Sequence, residues 1–223
     1  MIALLVMTDG RDTIYETIPS FLGFGLGSVS ELWIHDDSGD PANAAKLGRV
    51  FPDFRVVRSD GRSGFGGAIR SAWRALRAES ACPFVFHLED DFTFRRIVEL
   101  DRCAQVLDSH PDLVQMALRR QPWNAAELAA GGIVEQNPAD FVEVADDVGN
   151  VWLEHRRFFT TNPGMYRRDL FEERDWPTGP QSEGRFSIDL FAEDPARRSA
   201  YWGARDSGEW VTHIGHHRAG TGY

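Results

Sequence analysis

Short apolar runs alternate with helical patterns through the first half of the chain. The run Ile2–Met7 is almost continuously apolar, which is typical of a central parallel strand buried on both faces. The complete set of predicted strands in this half is Ile2–Met7, Glu31–His35, Phe54–Val57, Phe84–Leu88 and Leu113–Leu118. Regular alternation of strands and helices predicts an α/β fold with a mostly parallel central sheet flanked by helices.

Three helices are predicted between these strands from apolar residues that recur at helical spacing. Their expected inward faces are Ile14, Ile18 and Leu22 in the first, Ile69, Trp73 and Leu76 in the second, and Ile97, Leu100, Ala104 and Leu107 in the third. Pro19 makes the end of the first helix uncertain, because proline removes a backbone donor.

After Arg120 the pattern becomes less regular, which predicts a smaller region of mixed strands and helices. The elements expected there are a short helix within 123–132, antiparallel strands Phe141–Val144 and Val151–Thr160, a turn at Asn162–Gly164, a short helix over Arg168–Arg174, a helix with Ser182 as its N-cap, and a last strand Glu209–Thr212. No repeat or low-complexity linker divides the chain, so we expect one domain over residues 1–223.

Carboxylates follow three of the predicted strands at their carboxyl ends. Asp9 follows the first strand, Asp36 and Asp37 follow the second, and Glu89–Asp91 follow Phe84–Leu88. An isolated acidic triplet is more often a solvated turn than a site. The carboxyl ends of parallel strands, however, open onto one cleft, so these acids are expected to converge. Closely packed acids share a cation, and hard ions such as Mg²⁺ or Mn²⁺ favour carboxylate oxygen.

Composition excludes some classes of protein. The net charge of −10 on 223 residues argues against a broad nucleic-acid-binding surface. Cys82 and Cys103 have no metal-ligand spacing and are expected to be reduced thiols. The first apolar run has no basic segment before it, and no run approaches the ~20 apolar residues of a membrane span. We therefore expect a cytoplasmic protein without a membrane segment.

The segment Gly64-Phe65-Gly66-Gly67 opens the second predicted helix. It does not match a dinucleotide-binding fingerprint, because Ile69 stands where the third glycine is required. We expect these glycines to permit close backbone packing beside a ligand or a neighbouring element.

Four markers together resemble glycosyltransferases of the GT-A fold, close to the large family-2-like group. Ile34-His35-Asp36-Asp37-Ser38-Gly39 resembles the family's nucleoside-binding Asp-Asp-Gly-Ser element, with Ser and Gly exchanged. The segment from Gly64 to Arg70 resembles its donor-pocket helix, and Glu89-Asp90-Asp91 its metal-binding Asp-x-Asp motif. His213 lies where many members supply a late metal-ligating histidine. The resemblance covers most of the chain and is weakest between residues 123 and 151.

The resemblance implies a Rossmann-like donor-binding half over residues 1–120 and an acceptor-binding, catalytic-base half over residues 121–223. It implies Mn²⁺ or Mg²⁺ as cofactor and a nucleoside-diphosphate sugar as donor substrate. The metal ligands would be Asp91, His213 and His216. The donor-binding residues would be Thr8, Asp9, Arg11, Asp36, Asp37, Gly64, Gly67, Arg70, Glu89 and Asp90.

The family pattern also implies a base that removes the acceptor's proton, with inversion at the transferred sugar. Glu183, in the first turn of its helix, fits this place, and Asp189 is a second candidate. Glu193 lies in a literal copy of the family's x-Glu-Asp motif. It ranks below Glu183, because it falls at a helix end before Pro195.

Other functions remain open at this stage. A nucleotidyltransferase acting on a sugar phosphate also uses such a sheet, but the first strand lacks the glycine-rich turn with arginine and lysine. A non-catalytic module that binds sugar nucleotides or carbohydrates is a further alternative. Four classes of acceptor remain open: a glycan, a lipid-linked sugar, a protein and a modified nucleic-acid base. Tryptophans expected to be exposed and able to stack on a sugar are Trp123, Trp152, Trp176 and Trp202.

Overall fold

A computed structural model describes residues 1–215 of the chain. The strands are β1 (Ile2–Thr8), β2 (Gly25–Leu26), β3 (Val29–Asp36), β4 (Arg55–Arg58), β5 (Phe84–Glu89), β6 (Phe92–Phe94), β7 (Val98–Glu99), β8 (Leu113–Ala117), β9 (Val142–Ala145), β10 (Val151–His155), β11 (Gly164–Arg167), β12 (Arg198–Trp202) and β13 (Val211–His213). The helices are α1 (Ile14–Phe24), α2 (Pro41–Val50), α3 (Gly64–Glu79), α4 (Leu100–Ser109), α5 (Ala125–Ala130), α6 (Ile133–Gln136), α7 (Asp169–Glu172) and α8 (Ser182–Glu193).

Nine strands form one large sheet in the order β4-β3-β1-β5-β11-β8-β12-β10-β9. Strands β11 and β10 run opposite to the other seven, so the sheet is mixed but mostly parallel, as predicted. In the register of the sheet, Thr8 of β1 lies beside Asp36 of β3, and Met7 lies beside Glu89 of β5. The acidic ends of three strands therefore meet at one edge.

The sheet has an apolar core on each face, which explains the continuous apolar character of β1. All seven residues of β1 are buried. Ile14 and Ile18 of α1 pack on one face, together with α4. Ile69 and Trp73 of α3 pack on the other face, together with Leu190 of α8. Layered helices on both faces are the arrangement that the alternating pattern predicts.

Two residues that were predicted to lie on the buried faces of helices are exposed in the structure. Leu22 is 57% exposed, whereas Phe21 is buried in the core. The reason is the helical period, since Ile14, Ile18 and Phe21 share one face of α1. Ile97 is 53% exposed, because α4 begins only at Leu100.

The predicted strands of the first half are present, and β9 and β10 are antiparallel as expected. Sequence patterning missed β11 and β12, however. The segment Asn162–Gly164 was expected to be only a turn, yet Gly164 starts β11, which pairs with both β5 and β8. A Cβ on Gly164 would lie 2.8 Å from the Ala117 Cα atom, so glycine is required by the close approach of strands.

The prediction of exposed tryptophans is wrong for three of the four. Trp152, Trp176 and Trp202 are buried in the core, and only Trp123 is substantially exposed, at 41%. Large aromatic side chains contribute much apolar area to a core, which outweighs any surface role for these three. Among residues 1–215, no helix has both the length and the apolar character needed to cross a membrane.

Candidate active site

A cavity of about 640 Å³ opens at the carboxyl edge of β1, β3 and β5. Its other walls come from the start of α3, the loop before α8, the first turn of α8 and the end of β13. The predicted site residues that line it are Thr8, Asp9, Arg11, Asp37, Gly64, Glu89, Asp91, Glu183 and His213. At least one acid from the end of each of the three strands therefore lines the cavity, as expected.

Asp37 anchors the start of α3 at one side of the cavity. Its carboxylate accepts hydrogen bonds from the Ser63 backbone N–H at 3.0 Å, the Ser63 hydroxyl at 2.5 Å and the Gly64 N–H at 2.8 Å. Gly64 has φ +71°, a conformation that favours glycine. Anions are stabilised at helix N-termini, where backbone donors lack partners within the helix. A fixed carboxylate, that of Asp37, and the backbone of Gly64 thus lie together at the cavity.

Arg11 joins the acidic ends of β1 and β5. Its Nε lies 3.2 Å from Asp9 Oδ1, and its two terminal nitrogens pair with Asp90 and Asp91. Asp90 also accepts a hydrogen bond from Thr8 Oγ1 at 2.5 Å and has no exposed surface. Burial raises the pKa of Asp90 to about 7, although Arg11 and Thr8 favour its charged form. The guanidinium therefore neutralises acids that would otherwise repel one another.

His213 is held beside Asp91 by backbone and ring contacts. The N–H of Ile214 donates to the Asp91 carbonyl at 2.7 Å, and His213 Nε2 lies 3.1 Å from Asp91 Oδ2. The imidazole lies between the rings of Phe92 and Trp123, with centroid distances of 4.7 and 4.6 Å. Burial opposes ionisation of Asp91, but the hydrogen bond from His213 and the charge of Arg11 lower its pKa.

The chemistry of this pair fits a divalent cation that takes further ligands from a substrate. Asp91 Oδ1 is buried and makes no hydrogen bond to any residue in 1–215, so it retains capacity for a ligand. Carboxylate and imidazole are both ligands for Mn²⁺. No group of three or more metal-binding side chains occurs among the described residues. A bound cation would therefore rely on phosphate or water ligands and would compete with Arg11 for Asp91. The third predicted ligand, His216, lies outside the described residues.

Glu183 stands in the first turn of α8, between the large cavity and a second one. Gln181, the residue before α8, has φ +53° and occupies the N-cap position. Ser182 was predicted at that position, but it is the first residue of the helix and accepts a hydrogen bond from the Trp176 side chain. The Glu183 carboxylate accepts hydrogen bonds from the Thr161 N–H at 2.7 Å and the Thr161 hydroxyl at 3.3 Å. Burial nevertheless raises the pKa of Glu183.

Glu89 lies near Glu183 and is similarly perturbed. Burial raises the pKa of Glu89, and the negative charges of Asp91 and Glu183 raise it further. The second cavity, of about 320 Å³, is also lined by Glu89, Glu183, Trp123 and His213. Two adjoining cavities thus share two carboxylates with raised pKa values, an arrangement suited to proton transfer between bound molecules.

Five predicted residues line neither cavity: Asp36, Gly67, Arg70, Asp90 and Asp189. Asp36 instead accepts hydrogen bonds from the Ser38 N–H and the Asn43 side chain. Asp90 is turned towards Thr8 and Arg11, as described above. These two acids hold the ends of β3 and β5 in place, and their role as donor contacts stays a prediction.

The other three residues lie on α3 and α8 and make their contacts outside the cavities. Arg70 donates from Nε to the Trp176 carbonyl at 2.8 Å, which ties α3 to the loop before α8. A Cβ on Gly67 would meet the Ser63 side chain at 2.7 Å, so this glycine faces the start of its own helix. Asp189 is exposed on the outer face of α8, and its role as a second candidate base stays a prediction.

The expectation of close packing at the glycine-rich segment is met by Gly66. A Cβ at this position would lie 2.5 Å from the Pro177 carbonyl oxygen and 3.0 Å from the Ser182 hydroxyl. Only glycine allows α3 to approach the loop before α8 this closely. The approach brings Glu183 to the same cavity as Asp37.

Sequence reasoning missed His87 as a cavity residue. Trp73 Nε1 donates to the Tyr166 hydroxyl at 2.9 Å, and that hydroxyl lies 3.4 Å from His87 Nδ1. Burial lowers the pKa of His87 to about 4, so the ring is neutral. A signal existed, because His87 is a polar residue in an apolar strand and shares the face of Glu89 by the two-residue period. Thr161 was also missed and carries no such local signal.

Comparisons of the structure with solved structures reveal GT-A-type neighbours. GalNAc-T7 with UDP, GalNAc and Mn²⁺ matches with a TM-score of 0.65 and 9% identity, over 96% of this chain and 43% of that chain. TarS 1–349 of S. aureus in complex with UDP-GlcNAc matches with a TM-score of 0.62 and 15% identity, over the whole of this chain and 61% of that chain. The chain thus spans less than two thirds of the length of either of these two matched chains.

A nucleotidyl-transferring enzyme is also similar. CMP:2-keto-3-deoxy-manno-octonic acid synthetase complexed with CTP matches with a TM-score of 0.53 and 15% identity, over 90% of this chain and 88% of that chain. No protein-family model and no curated protein sequence matches the chain. At these identities the likeness shows the fold, and the fold is GT-A-like.

Proposed function

We propose that this chain is a glycosyltransferase that moves a sugar from a nucleoside diphosphate to an acceptor hydroxyl, with inversion. One observation carries the proposal. The 640 Å³ cavity joins the acids at three strand ends to Glu183, and Glu183 also faces a second cavity in which an acceptor has room. The GT-A-like fold and the neighbours crystallised with UDP-sugar components support this assignment.

In this proposal residues 1–120 supply most of the donor site. Asp37 binds the N-terminus of α3, and a nucleoside can bind beside it against Phe65 and Ile69, in the cavity that Thr8 also lines. Asp91 and His213 would hold the divalent cation, Mn²⁺ or Mg²⁺. A bound cation would neutralise the negative charge that develops on the leaving diphosphate.

Residues 121–223 supply the base and the acceptor side. Glu183 accepts the proton of the acceptor hydroxyl while the acceptor oxygen attacks the anomeric carbon. The bond between the anomeric carbon and the diphosphate breaks, and its electrons leave with the nucleoside diphosphate. The raised pKa of Glu183 brings its basicity closer to neutral pH, which improves proton transfer. A single displacement of this kind inverts the anomeric configuration.

The test is release of nucleoside diphosphate from a panel of nucleotide sugars in the presence and absence of Mn²⁺. Glu183→Gln should retain donor affinity but lower kcat by about two to four orders of magnitude, because the base is lost. Glu193→Gln is the matched control, since Glu193 is exposed and pairs with Arg174 and Arg197. Near-normal transfer by Glu183→Gln, with a large loss in Asp189→Asn, would overturn the base assignment.

A nucleotidyltransferase is the second candidate, favoured by the nearly complete mutual coverage with the CTP-bound synthetase. The same panel distinguishes it, because this activity would release pyrophosphate from a nucleoside triphosphate in the presence of a sugar acid or sugar phosphate. Against it, Arg11 in the turn after β1 is bound by three acids, and lysine is absent from that turn. Donor binding without any turnover would instead support a non-catalytic module.

A further inference from the structure

The second cavity has the dimensions of a small-ligand site and opens beside Glu183. Its volume of about 320 Å³ lies at the lower end of the range for ligand pockets. It lies between β6, the segment 158–162, α6 and the first turn of α8. Because Glu89 and Glu183 line both cavities, a molecule bound in the second can touch one bound in the first.

Five of the fifteen residues that line this cavity are aromatic. Phe92 and Tyr201 are each only 3% exposed, whereas Phe158 is partly exposed and packs against Tyr201 with ring centroids 6.2 Å apart. The half-exposed Trp123 lines the cavity as well. Aromatic faces bind flat apolar surfaces, and a sugar ring presents such a surface through its C–H bonds while its hydroxyls project from the rim.

One polar group in this wall has no hydrogen-bond partner among residues 1–215. It is the Tyr201 hydroxyl, and Tyr201 lines the cavity although most of its side chain is buried. Burial raises the pKa of Tyr201, and the charges of Arg120, Glu127 and Glu183 also act on that pKa. Tyr201 and Glu183 line the same cavity. A hydroxyl of a ligand bound there can form a hydrogen bond with the Tyr201 hydroxyl.

The charges around the cavity disfavour an anionic occupant. Glu183 contributes a carboxylate to its lining. Arg120 is the arginine in that lining, and its Nη1 lies 3.0 Å from Glu127 Oε2 and donates to the Gln121 carbonyl at 2.8 Å. A phosphate or carboxylate in the cavity would therefore meet the Glu183 carboxylate and an arginine that is already neutralised.

We propose that the second cavity binds the acceptor as one neutral sugar ring, with the ring against the aromatic wall and a hydroxyl on Tyr201. This proposal rests on the proposed function, because it presents the reacting hydroxyl to Glu183. The acceptor is then a glycan end rather than a phosphorylated lipid, a peptide or a nucleic acid. The proton, the new bond and the leaving diphosphate follow the displacement described above.

Two measurements test this proposal. The first is transfer to methyl hexosides, hexose 6-phosphates, methyl hexuronides and a serine-rich peptide, with the nucleotide sugar that the donor panel identifies. Neutral hexosides should be preferred, and Tyr201→Phe should raise their KM about tenfold, more than it raises the donor KM. Tyr15→Phe is the matched control, because Tyr15 lies outside both cavities, where it stacks on Phe51. It should leave both KM values unchanged.

The second measurement is the binding of methyl hexosides in the absence of donor, measured by saturation-transfer NMR. Binding to the wild-type protein that weakens in Tyr201→Phe supports the cavity assignment even when no donor is turned over, and in that case the proposed function alone fails. Preference for an anionic acceptor or the peptide would overturn the neutral-sugar assignment. So would an unchanged acceptor KM together with unchanged hexoside binding in Tyr201→Phe.

Discussion

Replacing Arg11 with glutamine should destabilise the protein strongly, because this guanidinium compensates buried acids. It pairs with Asp90 and Asp91, whose side chains are 0% and 4% exposed, and also with Asp9. Glutamine keeps part of the side-chain length but carries no charge. The variant therefore leaves buried carboxylates next to one another without a positive charge between them.

The expected loss follows from burial. Removing one partner of a buried ion pair costs about 3–5 kcal/mol. Arg11 is itself 25% exposed, so water screens part of the interaction, and we expect about 3 kcal/mol at pH 7. For a chain of this size that loss corresponds to a decrease in Tm of roughly 6–12 °C.

The pH dependence has a defined sign. The pKa of Asp91 is lowered in the folded wild-type protein, so its stabilising effect exists above its unfolded pKa and is lost as pH falls through the folded value. Without Arg11 the buried acids bind protons more readily. The difference in unfolding free energy between wild type and Arg11→Gln should therefore shrink as pH falls from 7 towards 4.

Urea unfolding monitored by circular dichroism measures this difference, with Arg62→Gln as the matched control. Arg62 pairs with Asp9 at 2.5 Å but is 59% exposed, so its loss should cost less than about 1 kcal/mol. Mn²⁺ should raise the Tm of Arg11→Gln more than that of wild type, because Asp91 is no longer occupied by the arginine. Equal losses in the two variants would refute the reasoning about burial, and equal Mn²⁺ responses would refute the competition.

Three further predictions concern other contacts of the same structure. Gly66→Ala should cost about 1–3 kcal/mol in thermal unfolding, because its Cβ would meet the Pro177 carbonyl at 2.5 Å, whereas Gly23→Ala, with open space around it, should gain about 0.5–1 kcal/mol. Burial lowers the pKa of His155 to about 3, so protonation of the unfolded state near pH 6.5 opposes folding in acid. The free energy of unfolding of His155→Phe should therefore rise by about 2 kcal/mol relative to that of wild type as pH falls from 7 to 5. A difference that stays constant over this range would contradict the lowered pKa. Asp91→Asn should abolish the effect of Mn²⁺ on nucleotide affinity measured by calorimetry, and an undiminished effect would remove Asp91 from the site.

Local patterning was sufficient for much of the sheet and for part of the candidate site. The apolar run of β1 and that of β5 each predict a strand, because a strand buried on both faces needs apolar residues throughout. The convergence of Asp37 with Glu89 follows from the parallel topology that the alternation implies. The resemblance to the GT-A group added the proposed roles of Asp91 and Glu183, which no periodicity can supply.

Other features depended on segments that are distant along the chain. Strand β11 enters the sheet between β5 and β8 although its four residues include a glycine and an arginine. Its place depends on pairing partners on both sides, and a local window does not contain them. For the same reason Trp176, which follows a run of charged residues, is completely buried among aromatic residues of α3 and α8.

The sequence by itself determined the alternation of strands and helices and the acids at the ends of β1, β3 and β5, because those depend on neighbouring residues. Only the tertiary structure decided which of these acids faces the cavity. Asp90 is turned to Thr8 and Arg11, whereas Asp91 lies beside His213 and lines the cavity. The contact between Arg11 and Asp91 joins residues 80 positions apart, so packing rather than local propensity determines it.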